Sequence, residues 1–284
     1  MVSQTQTLLP AVERRMFALC DSPDGVLQSA VEYHLRSGGS RIRARLGLDA
    51  SFALGLPKRD ATAIATACEL LHNASLIHDD LQDQDAERRG QPAVWAKFGP
   101  DVAICAGDLL LSAAYAALAA LGETAAPVIA HMHTRVAITI QGQSEDLDCA
   151  KRADLSLPEY EAIATGKAGP LLSLPLELAL RLAGEGEQVS TALRAINSFA
   201  LGYQMLDDIA DADADAIAGE VNAVRIMSVA GAADPERAVR DRALAHLDRA
   251  AEIAQSLPTT IPDIVSGYID MLLHRAGVRK ELTA

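Results

Sequence analysis

The chain is poor in aromatic residues, in cysteine and in positive charge, and each shortage argues against a class of function. Aromatics make up 4% of the 284 residues, too few for a pocket that folds a cation between aromatic faces. The four cysteines, Cys20, Cys68, Cys105 and Cys149, are widely spaced and form no metal-ligand pattern. Three lie in apolar helical contexts, so buried free thiols in a reducing compartment are expected. Asp and Glu outnumber Lys and Arg by 38 to 25, leaving a net charge of −13. That balance argues against nucleic acid and anionic membrane surfaces as partners. The most apolar window, Val102 to Leu121, is broken by Asp108 and falls short of a clean membrane span of about 20 residues. The start, MVSQTQTLLPAVERR, lacks the basic opening and long apolar core of a signal peptide. A cytoplasmic protein that does not span a membrane is the expectation.

What is present is helix. Half the residues are hydrophobic, nearly every long segment has the 3.6-residue period, and no segment of strand length alternates with period two. Ser22-Pro23-Asp24 reads as a helix start, with the helix stopping at Gly38-Gly39. Further helices are expected over 41–54, 60–80, 101–121 and 128–147. The stretch 90–100 reads as a loop with a possible turn at 94–98, where Trp95 is a packing residue. Ser156 to Glu159 has the capping-box pattern; its helix should end at Thr165-Gly166, with Pro170 opening or kinking the next. Gln188 to Asp211, Asp234 to Gln255 and Pro262 to Ala276 complete the series. No composition shift marks a linker. The fold expected is all-α, one domain over 1–284, a bundle of about ten or more helices.

The chemistry concentrates in LIHDDLQDQDAERRG, residues 76–90. Asp79 and Asp83 are four apart and share a helix face, with Asp80 beside them. They fall near the C-terminal end of an apolar helix, where the dipole disfavours anions by about 0.3–1 kcal/mol each. Carboxylates crowded there make sense if a cation joins them, and hard oxygen ligands in an open cluster favour Mg²⁺ completed by water and substrate phosphates. A solvated acidic helix end is the bland alternative. A second cluster changes the balance: residues 201–215, LGYQMLDDIADADAD, repeat the spacing with Asp207, Asp208 and Asp211. Two such clusters read as two jaws of one metal-bridged anion site. Arg88, Arg89 and Lys167 are available to neutralise that anion. No Ser-His-Asp order, Gly-rich phosphate loop or HExxH motif competes.

In this order the motifs resemble those of the all-trans (E) isoprenyl diphosphate synthases, the polyprenyl synthetase family. HDDLQDQDAERRGQPAVWAKFG resembles the first aspartate-rich motif, followed by GDLLL at 107–111, GQSEDLD at 142–148, TGKAG at 165–169 and LGYQMLDDIAD as the second motif. The resemblance implies an isoprenoid-synthase-type bundle around a central apolar cavity, and a homodimer. It implies Mg²⁺, three ions per active site, with Asp79, Asp83 and Asp207 as principal ligands. Asp80, Asp208 and Asp211 would bind directly or through water. Arg88, Lys167 and Gln204 would hold the allylic diphosphate; Arg41, His72 and Arg89 would hold isopentenyl diphosphate. The implied reaction is ionisation of the allylic diphosphate, attack by the isopentenyl double bond and loss of a proton. His72 alone would read as a core histidine, and Gln204 suits a buried hydrogen bond equally well.

The chain departs from the family pattern in three places. Where GGKRxRP is usual it has Gly38-Gly39-Ser40-Arg41-Ile42-Arg43-Ala44, so a lysine is missing at 40. Losing one charge-assisted bond is worth about 1.5–3 kcal/mol. Ala168 stands where threonine is common, and residues 212–224 hold no lysine, Arg225 being the nearest cation. Ala74 and Ser75, one turn above Asp79, are small, and Leu71 and Cys68 next along block only partly. A C20 product, or a somewhat longer one, is therefore favoured. The alternatives are a relative that cyclises or couples allylic diphosphates, and a non-catalytic partner subunit.

Overall fold

The computed structural model describes residues 4–278, apart from 22, 24, 150–154 and 219–220; the side chains of 149, 214, 217 and 218 also lie outside the description. Among the described residues there are twelve α-helices and a single two-stranded hairpin. The chain, expected to form one domain, divides into two compact units, Met1–Thr134 with Leu174–Gly186, and Arg135–Ser173 with Glu187–Ala284.

The first unit is built on α4, Lys58–Gln82, whose middle is almost wholly buried: Ala61, Ile64, Ala65, Cys68, Leu70, Ala74 and Ile77 are each at most 3% exposed. Around it pack α1 (Gln4–Leu19), α3 (Ile42–Ala53) and α6 (Pro100–Ala119). Small residues let the helices approach: a Cβ on Gly47 of α3 would stand 3.3 Å from Ala65 Cα. α2, Val26–Arg36, packs on α6 and ends at Ser37, just before the glycine pair expected to stop it. Its expected cap, Ser22 to Asp24, falls on residues outside the description. β1 (Glu87–Arg88) and β2 (Gln91–Pro92) pair antiparallel, and α5 (Val94–Phe98) follows. Pairing of two-residue strands leaves no periodic trace in sequence. By length and composition α6 could cross a bilayer, but Ala103, Ala106, Leu110, Ala114 and Ala117 form a buried face against its neighbours.

The second unit centres on α9, Val189–Ala218, against α11, Pro235–Ala254. Gly202 makes that contact possible, since a Cβ there would meet Leu247 Cγ at 2.6 Å. Asp234 caps α11 by accepting from the Arg237 N–H, as its sequence indicated. A seven-residue helix that the sequence reading missed, α10 (Ala223–Val229), is capped by Asn222. α12 spans Ile261–Arg275, α7 spans Ala125–Cys149 and α8 spans Leu157–Leu182.

Two expectations are corrected. α8 opens with the expected capping box, the Ser156 N–H donating to Glu159, but it runs straight through Thr165-Gly166 and Pro170. Cys20 and Cys68 are buried thiols as expected, whereas Cys105 is exposed; Cys149 lies outside the described side chains.

Candidate active site

The first acidic cluster stands at the end of α4. Asp83 caps that helix, its N–H donating to Asp79 O at 2.8 Å. Asp79 is partly accessible and Asp83 exposed. The chain then turns through Gln84 (φ 61°) and, past β1, Arg89 (φ 54°), left-handed conformations uncommon outside glycine and concentrated at functional sites. The indole N–H of Trp95 donates to Asp85 O at 2.8 Å and fixes this return, so Trp95 does more than pack. The hairpin folds Arg88 back onto α4, where Nε and Nη2 both reach Asp80 Oδ1. Asp80 is 1% exposed; burial raises its pKa and Arg88 opposes the rise. Its other oxygen is buried with no hydrogen-bond partner. It borders a small cavity of about 10 Å³, room for roughly one water. Gly107 of the GDLLL stretch has no Cβ because the His78 ring fills that place, 2.1 Å away.

Behind the acids lies a basic layer. Arg89 Nη1 donates to Ser37 Oγ at 3.1 Å and to Gly38 O. Arg41, at φ 51°, precedes α3 and is 7% exposed. It donates to Glu13 (3.2 Å), Glu69 (3.5 Å) and Leu35 O (2.8 Å). Glu69 also accepts the Ala44 N–H, tying the start of α3 to α4. The buried chain continues through Asn73, which donates to Glu69 O at 2.7 Å and accepts from His34 at 3.1 Å. Burial, then Arg89 and Arg88, push the His34 pKa down to about 3. Burial, then Arg43 and Arg89, likewise hold His72 well below its ordinary value. Both imidazoles are therefore neutral within a field of guanidinium groups.

The second cluster lies on α9. Asp207 is partly accessible and accepts from Arg275 Nη2 at 2.7 Å. The same nitrogen donates to Tyr203, over whose ring the guanidinium rests 4.9 Å from the centroid. Burial raises the Asp207 pKa, against Arg275 and Tyr203. Asp208 points the other way: it is 3% exposed, with Oδ2 accepting from Tyr160 OH and the Ala223 N–H at 2.8 Å each, and Oδ1 from Gln204 at 2.9 Å. Asp208 and Gln204 are thus partners of one another. Asp211 is exposed. Lys167, on α8, donates to Asp146 at 2.7 Å.

The structure brings Asp79, Asp80, Asp83, Arg88 and Arg89 together within the first unit, with Arg41 and His72 in the basic layer behind them. Within the second unit it sets Asp207, Asp208, Asp211 and Gln204 on one helix. Sequence reasoning missed His34, Glu69, Asn73, Tyr160, Asn222 and Arg275. Glu69 and Asn73 carried a signal, two polar residues four apart on an otherwise apolar helix; Arg275 carried none. Among the described residues no group of three or more His, Cys, Asp or Glu is gathered tightly enough to close a metal site alone. The donors at hand are accessible carboxylate oxygens and the partnerless Asp80 oxygen, a hard and open set. It fits an ion such as Mg²⁺, which is held by one or two carboxylates and completed by water and phosphate.

Comparison with known proteins follows the motif order. The polyprenyl synthetase family profile matches residues 24–220. A short chain isoprenyl diphosphate synthase of Methanothermobacter thermautotrophicus is 33% identical over 211 residues, covering 72% of this chain and 64% of that protein. A geranylgeranyl diphosphate synthase of Methanosarcina mazei is 33% identical over 206 residues, 71% of this chain and 64% of that one. The match thus spans under two thirds of the length of these curated relatives. The solved geranylgeranyl pyrophosphate synthetase of Geoglobus acetivorans superposes with a TM-score of 0.85 at 23% identity, over 96% of this chain and 100% of that one. A decaprenyl diphosphate synthase from Rhodobacter capsulatus gives 0.86 at 20%, over 97% and 98%. These superpositions establish the shared fold.

Proposed function

Because the chain belongs to the polyprenyl synthetase family, we propose that it is an Mg²⁺-dependent (E)-prenyltransferase that joins isopentenyl diphosphate to an allylic diphosphate. The observation that carries this reading is the end of α4, where accessible Asp79 and Asp83 flank buried Asp80, whose carboxylate holds the Arg88 guanidinium. Carboxylates and guanidiniums in one place suit a metal–diphosphate, which presents cations to the first and phosphate oxygens to the second.

By the resemblance, Asp79 and Asp83 of the first unit, and Asp207 and Asp211 of the second, would each be Mg²⁺ ligands, and the ions when bound would neutralise the leaving diphosphate. Asp80 also holds the Arg88 hairpin through Oδ1, leaving Oδ2 partnerless, and Asp208 ties α8 and α10 to α9 through its protein partners. The resemblance implies direct or water-mediated metal roles for both, and this reading keeps them. Arg88 reaches diphosphate from its fixed seat on Asp80, and Lys167 does so from α8. Gln204 orients Asp208. Arg89 and neutral His72 face the isopentenyl diphosphate, while buried Arg41 shapes the turn on which Arg89 rests. A proton leaves the condensation product to the departing diphosphate. The carbocation needs protection from water, and the apolar surfaces of the helices provide it.

We further infer a homodimer in the cytoplasm and a C20 product. The outward face of α6, carrying Ile104 at 47% exposure, supports the first, and the buried thiols Cys20 and Cys68 suit a reducing compartment. Small Ala74 and Ser75 above Asp79 support the product length. The test is mass-spectrometric product analysis with isopentenyl diphosphate and C5, C10 and C15 allylic primers, with and without Mg²⁺. A prenyl diphosphate formed only with Mg²⁺ is expected; hydrocarbons, alcohols or no product would refute the reading. In the same assay Ser75→Phe, at a partly accessible position, should shorten the main product to C15.

A further inference from the structure

The C-terminal third of α9 carries five carboxylates in nine residues, Asp207, Asp208, Asp211, Asp213 and Asp215, and the last turn of the helix has no basic residue. Asp208 is met by neutral donors, Tyr160, Gln204 and the Ala223 N–H. Among the described residues a cation pairs with this run in one place. Arg275, in the last turn of α12, donates from Nη2 to Asp207 Oδ1 at 2.7 Å and to Tyr203 OH at 2.8 Å. Tyr203 and Asp207 are four apart on α9 and share a face, so one guanidinium spans the turn between them. It lies 4.9 Å from the centre of the Tyr203 ring. That ring leans in turn on Phe199, with the two centroids 6.3 Å apart.

The pair is easily exchanged. Both bonds leave from one nitrogen, without the two-nitrogen fork that makes arginine–carboxylate pairs strong. The side chains of Arg275 and Asp207 are 54% and 36% exposed, and ion pairs so open contribute little. Tyr203 holds the guanidinium by ring and hydroxyl, which keeps it in place apart from any hold on Asp207. Asp211, exposed and one turn further on, enters no described hydrogen bond or ion pair, and like charges four apart repel. One guanidinium on one oxygen leaves that surplus standing. A divalent cation held by one or two carboxylates neutralises more of it.

We propose that Arg275 is an exchangeable counter-ion of Asp207: it occupies the carboxylate while no metal is bound, yields it to a divalent cation, and stays on Tyr203. That the cation serves prenyl transfer rests on the reading above; the exchange itself does not. Arg275 acts through Asp207 and is a positioning residue. By it the C-terminal helix, 68 positions further along the chain, sets the metal affinity of the second cluster.

Titration of the metal-free full chain with Mn²⁺, followed by the electron paramagnetic resonance of the free ion and without diphosphate, tests this. The component of binding lost in Asp207→Asn belongs to the second cluster. In Arg275→Gln its dissociation constant should fall about threefold, the size of a partly exposed ion pair. In an Asp207→Asn background the same change should do nothing. Arg59→Gln removes an equal charge from a side chain 68% exposed and paired with Asp60, and should leave the constant unchanged. Trypsin reads the contact directly. Relative to cleavage elsewhere, cleavage after Arg275 should be slow in metal-free wild type, faster with Mg²⁺, and fast with or without it in Asp207→Asn. Unchanged or weaker Mn²⁺ binding in a folded Arg275→Gln protein, the same gain in the Asp207→Asn background, or cleavage of wild type indifferent to Mg²⁺ would overturn the proposal. If wild type transfers no prenyl group while Mn²⁺ and trypsin give the expected pattern, the function falls and the exchange stands. If Asp207→Asn leaves Mn²⁺ binding whole, the exchange falls whatever the product assay gives.

Discussion

His34 shows how a single side chain reports on the charge around it. It is 4% exposed and donates to Asn73 on the edge of an arginine layer, so protonation would bury a cation among cations. The unfolded imidazole takes up a proton near pH 6.5, while the folded one does so only at about 3. Between those values the unfolded state binds the extra proton, so stability is full above pH 6.5 and falls as pH drops through the window. His72, shifted in the same direction, adds to the slope. Urea unfolding at pH 6.5 and 5.0 should show the wild type losing stability, with His34→Gln losing less by about 1.4 kcal/mol per pH unit. Equal slopes for the two proteins would show that His34 is protonated in the fold. At this scale the sequence exposed the aspartates and hid their partners. Spacing alone marked Asp79, Asp80 and Asp83. Nothing local revealed that Asp208 is enclosed by Tyr160 and Ala223, because burial is decided by segments far apart in the chain.

α8 carries the corresponding lesson for elements. Gly166 and Pro170 are helix breakers by propensity, and sequence reading ends a helix there. Pro170 has no N–H to give to the carbonyl of Gly166, four residues back. Gly142 of α7 passes beside that carbonyl: an added Cβ would lie 2.6 Å from Gly166 C and O. Two glycines meet here while α8 stays continuous, and the residue after Gly166 is Lys167, held by Asp146. The two glycines are not equivalent. Gly142→Ala meets backbone and should destabilise by about 1–3 kcal/mol, whereas a Cβ on Gly166 finds only Gly142 Cα at 3.8 Å. Gly166→Ala should be neutral or slightly stabilising through its helix propensity, by up to about 1 kcal/mol. Thermal unfolding of both variants checks the asymmetry; equal losses would place the close approach elsewhere. The capped helices α8 and α11 were legible because capping residues act within one turn. The hairpin at 87–92 and α10 were not, being too short to show a period.

For the whole molecule, the apolar content that made the fold legible also leaves surface uncovered. α6 buries a face of small residues and turns Ile104 and Cys105 outward. If that face is where two copies meet, Ile104→Asp should convert a dimer to a monomer by size-exclusion chromatography with light scattering, without loss of helicity. A wild-type protein that is monomeric at micromolar concentration would remove the dimer from the account. By itself the sequence determined the helical class, most helix positions and the two acid clusters, since periodicity, capping and spacing act over a few residues. The tertiary structure alone decided which carboxylates stay accessible and which are buried. It also decided that Arg45, in the first turn of α3, donates to the carbonyl of Ser40 in the turn before that helix. Those outcomes depend on burial and on charges brought together from distant segments, and no local pattern encodes them.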